Sequence, residues 1–114
     1  MRTIEINKKN YPIKFGLVAL KYFAKEKKIV HINKIESFFS KIDYSDLTFE
    51  NIDDLSLLIL CGLRNGARVE KSELDLTADD IMDLFESNPD MIENALAEYT
   101  DSIPEGGKEV NEKK

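Results

Sequence analysis

The chain has 114 residues, 42% of them apolar, which is enough for one domain with its own core and no need of a disulfide or a metal. Its one cysteine, Cys61, excludes an internal disulfide and any multi-cysteine zinc site. The net charge of −6 hides a split: residues 1–41 carry ten basic and three acidic residues, and residues 42–101 carry three basic and sixteen acidic. No apolar run approaches the ~18–20 residues that span a bilayer. Glu5 stands where a signal peptide would need its apolar segment. The expectation is a soluble intracellular protein without cofactors.

Alternation of Ile4 and Ile6, then of Tyr11, Ile13 and Phe15, predicts a short hairpin with its turn at Lys8, Lys9 and Asn10. A lone hairpin is marginal in water, so this one must lie on helices, and the predicted fold class is α+β. The period becomes helical near Gly16. A first helix to about Lys27 would set Leu17, Leu20, Phe23 and Ala24 toward the core, with Lys14, Lys21, Lys25 and Lys28 on another side. The β-branched stretch Ile29–Ile32 breaks that helix and could pair as a strand. Ile35, Phe38, Phe39 and Ile42 then predict a short helix over about 34–41.

Thr48 is a suitable N-cap for a third helix that would end near Asn65, with Gly66 as its left-handed cap. Ile52, Leu55, Ile59, Gly62 and Leu63 form its core stripe. Thr77 and Asp80 resemble a capping box for a fourth helix. Asn88 and Pro89 begin a fifth, with Met91, Ile92, Ala95, Leu96 and Tyr99 as its apolar side. The domain is expected to span residues 1–101. Residues 102–114 hold too little apolar surface to repay ordering and are expected to form a disordered tail.

Catalysis needs a nucleophile beside a base, paired carboxylates in a cleft, or a metal. His31, the sole histidine, has no sequence neighbours suggesting a triad, and Cys61 sits in the most apolar helix, where a free cysteine is expected to be a small core residue. A non-enzymatic protein is expected. The lysine stripe suggests nucleic acid, yet residues 1–41 contain one arginine and the acidic remainder would repel phosphate, so nucleic acid is not the expected partner.

The third helix carries a second stripe of Leu57, Leu60 and Cys61, continued by Arg64 and Arg68. It reads either as part of a central helix covered on all sides or as an interface with arginine at its rim. The fourth helix bears Asp79, Asp83, Glu86 and Asp90 in an acidic stripe matching the basic stripe of Lys14, Lys21, Lys25 and Lys28. If the two stripes sit on opposite sides of the domain, copies could join head to tail into a ring or filament.

The order of these segments resembles the small tail assembly chaperones of long-tailed (siphovirus-like) bacteriophages and prophages. The likeness rests on Tyr11–Gly16, on Ala19, Leu20 and Phe23, on Leu58–Arg68, and on Leu76 and Thr77 before an acidic helix ending at Asn88 and Pro89. It covers about residues 2–101. The chain departs at residues 25–34, a basic stretch where an acidic, glycine-containing helix end is usual. The resemblance implies a non-enzymatic protein of the infected bacterial cytoplasm, absent from the mature virion. It implies as partners the tape-measure protein, kept soluble, and the tail-tube protein, recruited around it. The other readings of the residues are a bacterial intracellular adaptor or regulatory module with no phage role and, ranked after it, a small nucleic-acid binder using Lys14, Lys21, Lys25 and Lys28.

Overall fold

The computed structural model describes residues 2–102, and they form a two-stranded antiparallel hairpin and five helices, an α+β arrangement. Strands β1 (Arg2–Ile6) and β2 (Lys9–Ile13) pair with Ile4 opposite Tyr11 and Ile6 opposite Lys9. The side chains chosen by alternation all point inward: Ile4, Ile6, Tyr11, Ile13 and Phe15 are buried. The turn lies one residue earlier than expected, at Asn7 and Lys8. Both have positive φ, 52° and 67°, as a two-residue turn matching the strands' twist requires. Lysine is poorly suited to that conformation. Lys8→Gly is expected to stabilise the protein by about 1 kcal/mol, read as a rise of a few degrees in the thermal midpoint.

Helix α1 (Leu17–Lys27) buries Ala19, Leu20 and Phe23. Its core side is therefore turned toward Ala19, and Leu17, expected inside, is 65% exposed. Lys28 ends the helix in the left-handed region, and the N–H groups of Lys28 and Ile29 both donate to the Ala24 carbonyl. This double bond pattern reverses the chain sharply. Residues 29–31 consequently form no strand, and α2 (Ile32–Ser40) starts two residues before its expected position.

Helix α3 (Phe49–Glu70) is the centre of the molecule, packing against β2, α1, α4 and α5. Thr48 and Asn51 form a reciprocal capping box at its start. Gly66 does not end it. The helix continues to Glu70, and Lys71, at φ 58°, takes the left-handed cap that Gly66 was expected to supply. Gly62 and Gly66 lie instead beneath the end of β2. A Cβ on Gly66 would stand 2.5 Å from the Pro12 carbonyl carbon and 2.8 Å from the Ile13 nitrogen. That close approach lets the Lys14 N–H donate to the Gly62 carbonyl at 3.0 Å, while buried Asn65 donates Nδ2–H to the Lys14 carbonyl at 3.1 Å.

Helices α4 (Ala78–Ser87) and α5 (Pro89–Ser102) complete the domain, α4 beginning with the Thr77–Asp80 capping box. Asn88 accepts from the Met91 N–H at the start of α5, as its sequence position suggested. Helix α5 includes Ser102, so the expected tail boundary falls inside a helix; the rest of that tail, residues 103–114, lies outside the described residues. Phe15, Phe39 and Tyr99 join the hairpin end, α2 and α5 through edge contacts of 5.4 and 5.8 Å. Lys27 Nζ approaches Asp54 Oδ1 at 2.7 Å, an ion pair whose carboxylate is almost wholly covered. No helix among the described residues is long and apolar enough to cross a membrane.

Candidate functional site

The stripe expected to meet a partner on α3 is mostly occupied within the molecule. Cys61 is fully buried in the core, and Leu57 and Leu60 are only partly exposed and pack against it. The central position of α3 is the reason: with neighbours on several sides, its second apolar face is covered at Cys61 and half-covered at Leu57 and Leu60. Arg64 lies over the Tyr22 ring at 4.5 Å, and Arg68 Nε donates to Asn65 Oδ1 at 3.0 Å. Both arginines thus engage α1 or α3 itself. The interface expectation is corrected for Cys61, which the core encloses; Leu57 and Leu60 remain half-buried, and Arg64 and Arg68 remain exposed.

Burial also decides the chemistry of Cys61. Loss of hydration pushes its thiol from an ordinary 9.0 up to about 12; nearby Arg64 opposes the shift and Glu26 adds to it. Burial likewise pushes the Tyr99 phenol up from 10.0 to about 12, with Glu36 and Tyr44 contributing. A raised acid pKa means stability intact below the unfolded value and lost as pH rises toward the folded value. Unfolding free energy is therefore expected to fall from about pH 9 upward, by ~1.4 kcal/mol per pH unit for each such group in its own window. Urea titrations across that range check the slope, and Cys61→Ala is expected to remove one proton's share of it.

The charged stripes are where the sequence placed them. Lys14, Lys21, Lys25 and Lys28 are exposed, as are Asp79, Asp83, Glu86 and Asp90. They lie on separate helices, α1 with its flanks and α4 with its end, each packed against α3. Among the described residues no group of histidine, cysteine or carboxylate side chains is arranged to hold a metal ion.

The open surface that periodicity missed lies between α1 and α2. The sharp turn at Lys28 folds residues 29–32 back beside α1 and leaves a groove of about 320 Å³. Its floor and walls include Leu17, Leu20, Ala24, Ile29, Val30, Ile32 and Ile35, and the aliphatic stems of Lys21 and Lys25 border it. Leu17, Val30 and Ile32 are 65%, 86% and 59% exposed. Scattered exposed apolar residues are ordinary; here three of them, Leu17, Val30 and Ile32, line one groove. The signal was present in the apolar run Ile29–Ile32. It was read as a strand because its return beside α1 depends on the backbone conformation of Lys28. Comparison with protein-family models, with curated proteins and with solved structures finds no match.

Proposed function

We propose that this protein is a phage tail assembly chaperone: a non-enzymatic binder that covers the apolar helical surface of a tape-measure protein, keeps it soluble, and helps recruit tail-tube subunits around it. It would act in the host cytoplasm and be absent from the mature virion. The observation that carries the reading is the open apolar groove between α1 and α2, with Leu17, Val30 and Ile32 exposed on a small domain. A long client helix exposes apolar surface until the tube encloses it, and a reversible binder needs a modest complementary groove rather than a large one. The resemblance in segment order supplies the client's identity.

Co-expression with a tape-measure fragment tests this directly. The fragment is expected to move from the pellet to the supernatant when the protein is present. Equal precipitation with and without it would end the chaperone reading. The exposed lysine and acidic stripes, carried on separate helices, support a further part of the proposal, head-to-tail association of copies along the client. Because exposed ion pairs contribute only ~0–1 kcal/mol each, that association is expected to weaken with salt. A strictly monomeric species in light scattering at high concentration and low salt removes it.

A further inference from the structure

We infer that the groove between α1 and α2 receives one amphipathic helix whose narrow apolar ridge is flanked by acidic residues. This rests on the chaperone reading and names the kind of client segment recognised. Three observations carry it. The α1 residues that line the groove run from Leu17 to Lys25, a stretch of ~12 Å, about two turns of a partner helix. Both of its walls come from α1, α2 and the turn between them, so a ridge spaced i, i+3/i+4, i+7 would seat between two helices as helices ordinarily pack. The ionisable residues lining it are Lys21, Lys25 and His31, with no carboxylate, in a chain that carries a net −6.

Charge complementarity thus selects an occupant with acids beside its apolar ridge. Exposed charges add little affinity but orient the encounter and reject basic competitors. A second copy's α4 has the acids, at Asp79, Asp83 and Glu86, but its apolar Ile81 and Leu84 are buried in its own core. A free client helix supplies both features at once.

The test uses a fluorescein-labelled stapled helix with a leucine ridge and glutamate flanks, and a twin with lysine flanks. Anisotropy titration is expected to show the glutamate peptide binding about tenfold or more tightly than its twin, with the gap shrinking at high salt. Lys21→Glu with Lys25→Glu should reverse the preference. Leu17→Asp with Ile32→Asp should abolish binding of both peptides; these side chains are exposed, so the circular dichroism melt should not change.

Equal binding of the twins, no binding, or binding that survives Leu17→Asp with Ile32→Asp would overturn the inference. Should that variant melt differently, photo-crosslinking from the peptide ridge to the unaltered protein decides instead: crosslinks on α1 and residues 29–35 support the groove, and crosslinks elsewhere refute it. Self-assembly that Leu17→Asp with Ile32→Asp dissolves and the glutamate peptide cannot displace would assign the groove to a second copy and overturn the inference. The two readings separate cleanly. A client fragment solubilised equally by the groove variant overturns the groove and keeps the chaperone. Peptide binding without client solubilisation does the reverse.

Discussion

Gly66→Ala is expected to destabilise the protein by about 3 kcal/mol or more. Taken alone, α3 would gain: alanine is ~1 kcal/mol better than glycine in a helix interior. The sign is reversed by what lies above position 66. The added Cβ would fall 2.5 Å from the Pro12 carbonyl carbon and closer still to its oxygen, and these are backbone atoms that no rotamer change can move aside. Strand β2 would have to lift, with loss of the Lys14–Gly62 and Asn65–Lys14 hydrogen bonds. Gly62→Ala meets the Phe15 ring instead. A side chain yields more readily than a strand, so the cost there is expected to be smaller. Urea denaturation of the two variants checks both the size and the order.

Lys27→Met is expected to cost ~3–5 kcal/mol, because it leaves the buried Asp54 carboxylate without its partner. The side chain of Asp54 is 6% exposed and that of Lys27 30%. Asp54→Leu should cost less, since the lysine stem lets its ammonium turn outward to water. The double change Lys27→Met with Asp54→Leu is expected to recover most of the loss, as an apolar pair fills the site without buried charge. A double-mutant cycle in urea measures the coupling. If the two single losses simply add, the pair makes no specific contribution. The pair joins the end of α1 to the start of α3, and Lys27 also lies 5.8 Å from the Phe38 ring centre on α2. Its removal should therefore loosen the same helices that form the groove.

Much of the local structure was legible because its causes are local. Side-chain alternation identified the inward face of the hairpin from Ile4 through Phe15. The caps at Thr48, Thr77 and Asn88 follow from side-chain oxygens accepting nearby backbone N–H groups, and each is found. The failures share another cause. Gly66 looked like a helix end because glycine favours the left-handed cap, yet it was there to admit β2, a strand more than fifty positions earlier in the chain. Lys28 and Lys71 take the left-handed caps with no glycine to announce them. The turn at Asn7 and Lys8 was displaced by one for the same reason.

For the site, periodicity found a second apolar stripe on α3 but not whether anything covered it. Helical spacing reports which residues share a face, and only the arrangement of neighbouring elements reports what that face meets. Leu17 was assigned to the core on spacing alone, and the rotation of α1 placed it in the groove.

The sequence by itself determined the α+β class, the inward-facing hairpin residues, the caps of three helices and the separation of basic from acidic residues. Each depends on the chemistry of a residue and of neighbours within a few positions. The tertiary structure alone decided that the arginines turn back on Tyr22 and Asn65. It alone opened the groove between α1 and α2. It also brought together two segments far apart in the chain, Tyr11–Gly16 and Leu58–Arg68, at the crossing of β2 over Gly62 and Gly66. Contacts between residues so far apart in the chain depend on how whole elements pack, and no window of sequence contains that information.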